Sequence, residues 1–209
     1  MNSVSCLTEI KDPLILDASV VVNLNATGFA DRILGAIPVD AFVPEPVLSE
    51  LQRGISMGHS DAIDLEQLIE KGLANTLALP ALAQSDYIAL VSGSAANSLG
   101  DGEAATIVSA SVTGSWAAID ERKARKICSD KFREVKVAST LDILTHPNVL
   151  SDLSEKEFSF ALFAALEVAH MQVQKQHMNW VVARIGADRV SKCLSLPRSV
   201  RLANQSKVS

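Results

Sequence analysis

Aromatic side chains are scarce in this sequence: six phenylalanines, two tryptophans and one tyrosine make up 4% of its 209 residues. Any core must therefore be packed from aliphatic groups. Cysteine is as sparse. Cys6, Cys128 and Cys193 are odd in number, far apart and without a CxxC pair, which excludes a disulfide framework and a cysteine-based zinc site. The four histidines, His59, His146, His170 and His177, have no spacing suited to a metal or a triad, and no role is assigned to them. Long apolar runs are missing too. The nearest, FSFALFAALEVA at residues 158–169, is too short to span a bilayer and carries Glu167. The start, MNSVSCLTEIKDP, offers neither a basic n-region nor an apolar h-region, so no secretory signal is expected. A reducing cytoplasm and no membrane partner are the expectations.

Apolar residues at 48% and charged residues at 21% are an ordinary globular composition. The length suits one domain with a full core, or one domain plus a helical appendage. The net charge of -5 hides an asymmetry. Residues 1–115 hold 4 Lys+Arg against 14 Asp+Glu, a balance of -10, whereas residues 116–209 hold 15 against 10, a balance of +5. Carboxylates that hold a cation beside a basic surface that holds a polyanion would give this division. Solvated charged faces would give it as well.

The chain is organised around LILDASVVVN at residues 14–23. Leu14, Ile15 and Leu16 have the character of a buried parallel strand, which cannot keep a carboxylate in the core. Asp17 therefore emerges at the strand's carboxyl end, the edge where open α/β sheets bind ligands. Ser19 suits the N-cap of the next helix. Taken alone, the pair can equally be a cap and a turn. Further short strands are expected at 41–43, 75–79, 116–119 and 135–138, with helices between them, and 116–119 again ends in an aspartate, Asp120. Short strands alternating with helices specify a parallel sheet covered on both faces. Residues 80–99 lack a clean period and read as a loose-ended helix or a flap over the site. Ser154 with Glu157 is a capping box opening a helix to about residue 177, apolar enough to be covered by the domain or by a second protein. Another helix or two, broken at Gly186, follow over 178–194, and the tail after Pro197 reads as frayed. The division expected is a domain at 12–147 and a C-terminal helical extension at 151–197, packed on the domain or on a partner.

The acids at strand ends and helix starts are Asp17, Glu50, Glu103 with Asp101, and Asp120 with Glu121. Carboxylates converging in one pocket repel one another unless a cation sits among them. Oxygen ligands without His or Cys select hard ions, Mg²⁺ or Mn²⁺. Such an ion activates water for attack on a phosphodiester. Each acid also has a structural reading, as a cap, as a partner of a helix dipole or as part of a solvated face.

Four stretches resemble the PIN-domain nucleases over roughly residues 14–144. LILDAS resembles the family's opening strand with its metal-binding aspartate. VPEPVLSEL, at 43–51, resembles the segment that carries Glu50. GDGEAATIVSA, from residue 100, resembles the helix start that carries Glu103, with Asp101 additional. IDERKAR, at 119–125, resembles "iDD..aR", with Asp120 the matched acid and Glu121 where the family often has a second Asp. The resemblance implies a three-layer α/β/α fold around a mainly parallel five-stranded sheet, with a C-terminal helical extension. It implies a Mg²⁺- or Mn²⁺-dependent endoribonuclease with Asp17, Glu50, Glu103 and Asp120 as catalytic metal ligands, joined by Asp101 or Glu121. Ser19 would hydrogen-bond a ligand carboxylate or a metal-bound water, and Arg122, Lys123 and Lys126 would face the RNA. Arg125 matches the family's arginine and is expected to pair with an acid. Trp180, near Arg184, is expected to pack against the domain rather than stack on a base. Many bacterial relatives are toxins held by an antitoxin partner and form homodimers; the segment after residue 150 has no counterpart in a minimal toxin. The alternative reading is a non-catalytic PIN-like module that binds RNA or protein. A phosphatase on a similar sheet would need a second aspartate where this chain has Ser19.

Overall fold

The computed structural model describes residues 5–94 and 98–205. Five strands form one all-parallel sheet: β1 (Leu14–Leu16), β2 (Ala41–Pro44), β3 (Asn75–Leu77), β4 (Trp116–Ala118) and β5 (Lys136–Ala138), in the order β3-β2-β1-β4-β5. The chain leaves β1 toward one edge and returns to its other side at β4. That reversal puts a crevice between the carboxyl ends of β1 and β4, the place where such sheets take ligands. In register Leu16 lies opposite Ala118, so Asp17 and Ile119 begin the same level above the sheet.

Alternation along the strands divides the core in two. Leu14 and Leu16 face one apolar cluster and Ile15 the other; Ala118 faces the first, Ala117 and Ile119 the second. The second cluster is covered by α5 (Gln84–Val91), α6 (Asp101–Thr113) and α7 (Arg122–Lys131). Ala104, Ala105, Ser109 and Ala110 are fully or nearly fully buried, and these small residues let α6 lie close over the sheet's centre. The first cluster is covered by α1 (Ala18–Ala26), α2 (Ala30–Ala36), α3 (Glu45–Ile55) and α4 (Asp61–Glu70), with α8 (Thr140–Leu144) and α9 (Pro147–Asp152) closing its end.

The C-terminal helices α10 (Glu155–Glu167), α11 (Met178–Ile185), α12 (Ala187–Val190) and α13 (Arg198–Gln205) extend this first cluster. Phe158, Leu162, Val181, Ile185 and Leu196 are buried in it, with α10 packed between α1 and α11. Arg32 ties α2 to the extension through Asp152 at 2.9 Å and Glu157 at 2.7 Å, and Phe29 meets Phe160 edge to face at 6.4 Å. Trp180 packs against Phe158, with Arg184 over its ring.

One segment left open by the sequence takes its helical alternative, and two others differ from their sequence reading. Within residues 80–94 a short 3-10 turn and the helix α5 form, anchored by buried Ala83 and Leu90 with Leu99 bonded back to Leu90; residues 95–97 of the stretch read as a loose-ended helix or a flap lie outside the described residues. The helix opened by the Ser154–Glu157 capping box stops at Glu167, ten residues early. His170 takes φ +56° and the Met171 N–H turns back to the Ala165 carbonyl at 2.9 Å, while Met171 itself is buried. A left-handed histidine leaves no glycine signature, so this stop was hidden. The expected frayed tail is helical as α13, whose Val200 packs on the core.

Candidate functional site

Asp17 follows β1 and its N–H donates to the Ala118 carbonyl at 3.1 Å, which fixes it at the crevice. It, rather than Ser19, is the N-cap of α1. Its Oδ2 accepts from the Ser19 N–H at 3.2 Å and the Ser19 hydroxyl at 2.6 Å. Its Oδ1 is buried and finds no hydrogen-bond partner among the described residues. Burial pushes the carboxyl above its usual range, against the Ser19 bonds, and Glu121 adds to the rise.

Asp120, beyond β4, is held differently. Its Oδ1 accepts from the Thr140 N–H at 2.9 Å, and its Oδ2 from the Thr140 hydroxyl at 2.5 Å and Asn23 Nδ2 at 2.6 Å. Burial still raises its carboxyl against these donors. Among the described residues Arg125 pairs with no acid: its Nη1 donates to the Ile119 and Ala138 carbonyls at 2.8 and 3.0 Å, pinning the ends of β4 and β5 beneath Asp120.

Glu103 stands in the first turn of α6, its Oε2 accepting from the Gly100 N–H at 3.1 Å. Its Oε1 is a second buried carboxylate oxygen with no partner among the described residues. Burial, then the neighbouring Glu121 carboxylate, push Glu103 up to about 8, and the Gly100 N–H opposes them. Two carboxylates side by side bond each other only by sharing a proton. Glu50 reaches the same place from α3. A Cβ at Gly102 would lie 2.7 Å from Glu50 Oε2 and 3.5 Å from Asp17 Oδ1, so glycine there lets the start of α6 approach both acids. Burial raises Glu50, with Asp17 contributing. Asp101 is exposed and turned toward Tyr87, whose hydroxyl is raised by burial and by that carboxylate.

Two clefts open over these acids. One, of about 440 Å³, is lined by Ser19, Asn23, Glu50, Asp61, Asp120 and Glu121 together with His59 and His170. Asp17 and Glu103 are not in this lining but neighbour it, Asp17 bonded to Ser19 and Glu103 beside Glu121. The second, of about 820 Å³, shares Asp120, His170 and Gln172 with the first and runs past Arg122, Arg125 and Lys175. Among the expected RNA-facing residues, Arg122 lines this second cleft, whereas Lys126 is paired with Asp130 at 2.7 Å on the exposed side of α7. Lys123 is half-buried and lines neither cleft.

Among the described residues no three Asp, Glu, His or Cys side chains stand ready to hold a metal ion as they are. The donor set nevertheless fits a hard cation. Two orphaned carboxylate oxygens, Asp17 Oδ1 and Glu103 Oε1, are buried among further carboxylates, and oxygen donors of this kind are what Mg²⁺ and Mn²⁺ take. A family model described as a PIN domain matches residues 13–185. The chain belongs to the PIN-domain family. No curated protein matches it. The match takes in α10 and α11 and stops short of α12 and α13. Among the described residues, no helix is long and apolar enough to cross a membrane.

Sequence reasoning passed over Asn23, Thr140, His170 and Gln172. Thr140 carried a weak signal, a helix start after a strand, and Asn23 lay within the organising stretch, one helical turn and a half past Asp17. Nothing in the sequence marked His170 and Gln172, because their place depends on the turn that ends α10.

Proposed function

We propose that this PIN domain is a metal-dependent endoribonuclease hydrolysing RNA phosphodiesters at the crevice between β1 and β4. The observation that carries the reading is the pair of buried, unpartnered oxygens, Asp17 Oδ1 and Glu103 Oε1, at the switch point of a parallel sheet. Asp17, Glu103, Asp120 and Glu50 would hold a Mg²⁺ or Mn²⁺ ion, with Glu121 beside Glu103 and Asp101 farther out. Bound there, the ion lowers the pKa of water and neutralises charge on the phosphate. The protein's own part is orientation. Ser19 fixes the Asp17 carboxylate so that one oxygen faces inward, and Thr140 with Asn23 locks the plane of Asp120. Gly102 keeps Glu50 and Asp17 within reach of α6. Arg122 would set a cation beside the phosphate.

The test is cleavage of single-stranded and structured RNAs with Mn²⁺, Mg²⁺ or chelator, alongside Asp17→Asn. Metal-dependent cleavage lost in the variant supports the reading; cleavage retained by Asp17→Asn defeats it. Asp120, with three protein donors on its two oxygens, favours a second reading, a PIN-like module that binds RNA or protein without cleaving. An unchanged melting temperature in Mn²⁺ would select it. A toxin-like role under an antitoxin-like partner, and a homodimer, are finer forms of the first reading; growth arrest on expression, abolished by Asp17→Asn, tests the toxin role.

A further inference from the structure

The two clefts differ in charge. The smaller carries Glu50, Asp61, Asp120 and Glu121 and, among its described lining, no Lys or Arg. The larger carries Arg122, Arg125 and Lys175 against the single carboxylate of Asp120. They join at Asp120, His170 and Gln172. A chain of phosphates with one member at the acids and the next members outside them would meet this change of sign.

The outer wall of the larger cleft is the segment after α10. From His170 it runs without regular structure to a 3-10 turn, Lys175–His177. Met171 is buried in the core and Val173 packs against it while also bordering the larger cleft, beside His170, Gln172, Gln174 and Gln176. Gln172 and Gln174 stand two residues apart, the spacing that puts side chains on one side of an extended segment, and Gln176 Nε2 donates to Gln174 Oε1 at 3.0 Å, so a row of amides borders the cleft. The row begins at the one non-glycine residue with positive φ among those described, His170 at +56°. That turn, which ends α10, also fixes where the segment enters the cleft. The lining has no Phe, Tyr or Trp among its described residues, so hydrogen bonds and charge, with the His170 and Arg122 planes, must do the recognition.

We propose that residues 170–177 and the start of α7 form a track for single-stranded RNA leading away from the acids. In it Lys175 and Arg122 neutralise phosphates, and Gln172 and Gln174 read the edges of unpaired bases. Base pairing hides those edges and A-form geometry buries them, so a duplex cannot use the row of amides. The proposal rests on the nuclease reading above for the position of the cleaved phosphate.

The experiment measures fluorescence anisotropy of a labelled ten-nucleotide single-stranded RNA bound to full-length Asp17→Asn protein in Mg²⁺ across a salt series. Adding Lys175→Glu is expected to weaken binding tenfold or more and to make the salt dependence shallower by about one phosphate contact. Adding Lys71→Glu, whose lysine pairs with Asp31 at the far end of α4, is expected to change affinity less than about twofold by the screening of a distant charge. His170→Gly, which keeps the left-handed turn, is expected to weaken binding several-fold at an unchanged melting temperature. Equal losses in Lys175→Glu and Lys71→Glu, unchanged affinity in both Lys175→Glu and His170→Gly, or duplex RNA bound as tightly through Lys175 would each overturn the track. Parallel cleavage assays on the parent chain separate the two readings: Lys175-dependent binding without metal-dependent cleavage defeats the nuclease and leaves the track.

Discussion

Gly102→Ala separates the fold from the site. An added Cβ would stand 2.7 Å from Glu50 Oε2, 3.3 Å from Val47 Cγ2 and 3.5 Å from Asp17 Oδ1. The first contact cannot persist, but its atom is the tip of a flexible side chain, so the Glu50 carboxylate swings away and the backbone stays. Val47 must give by a few tenths of an ångström. Against that, alanine in place of glycine favours a helix by up to about 1 kcal/mol. The two effects oppose each other, and net stability is expected to stay within about 1 kcal/mol, roughly 2–4 °C in melting temperature at this chain length. The site fares worse: Glu50 leaves and a methyl group faces the unpartnered oxygen of Asp17. Displacing groups that orient a metal site typically costs about 10–100-fold in metal affinity or activity. Melting curves in chelator, melting curves against Mn²⁺ concentration and single-turnover RNA cleavage read the three quantities. Full cleavage and an unaltered Mn²⁺ response would refute the use of this close approach; a melting temperature lowered by ten degrees would refute the claim that only a side-chain tip must move.

The raised carboxyls set a pH dependence. Glu103, at about 8 when folded against 4.5 ordinarily, binds its proton more tightly in the folded state, so the metal-free protein loses stability as pH rises from 4.5 toward 8. Asp17, Asp120 and Glu50 shift in the same direction, and a bound cation removes the penalty, so Mn²⁺ should raise the melting temperature more at pH 8 than at pH 6; an apo melting temperature that climbs over this range contradicts the assignment. Thr140→Val removes the hydroxyl donor from Asp120 but keeps the backbone donor, and is expected to lower Mn²⁺ affinity about 10–100-fold by freeing the carboxylate plane, measured by the same titration. Leu162→Ala, at a fully buried position in α10, should cost about 2–5 kcal/mol and lower a single cooperative transition, whereas a separate early transition would show that the C-terminal helices melt as their own unit.

Much of the α/β framework was legible because its signals are local. Short apolar runs that end in an aspartate, Leu14 to Leu16 before Asp17 and Trp116 to Ile119 before Asp120, Gly100 before an acidic helix start and the prolines opening α3 each carry their meaning within a few residues. Parallel order followed from the alternation of strands and helices. What stayed hidden depends on contacts far apart in sequence. Asn23 matters because Asp120, 97 residues later, folds onto it, and no spacing rule links them. His170 ends a helix in a conformation that glycine would have announced. The charge asymmetry between the halves carried part of this, since Arg122, Arg125 and Lys175 of the basic half line one cleft while the acids lining the other come equally from both halves, Glu50 and Asp61 from one and Asp120 and Glu121 from the other. Lys126 shows the limit of that signal, because its partner Asp130 lies one turn along the same helix.

The two strand-end aspartates should respond differently to the same substitution. Asp17 is a buried carboxyl with one satisfied and one unsatisfied oxygen, raised by burial and set beside Glu50, Glu103 and Glu121. Asp17→Asn can keep its carbonyl on the two Ser19 donors and turn its amide toward the acidic neighbours, exchanging repulsion for donation. In chelator at pH 8 it should therefore melt a few degrees above the parent chain while losing its response to Mn²⁺. Asp120→Asn also replaces a buried carboxyl, yet three donors converge on it. An amide nitrogen there faces Thr140 and Asn23 donors, which must rotate to accept, and a donor left opposite a donor costs about 1–3 kcal/mol. That loss offsets the relief of burial, so Asp120→Asn should melt below Asp17→Asn. If the two melt alike, the Thr140 and Asn23 bonds add nothing to the anion's hold, and Asp120 is no more fixed than Asp17. The order Asp17→Asn above Asp120→Asn would instead mean that the site combines one carboxylate locked by the protein with one kept partly unsatisfied.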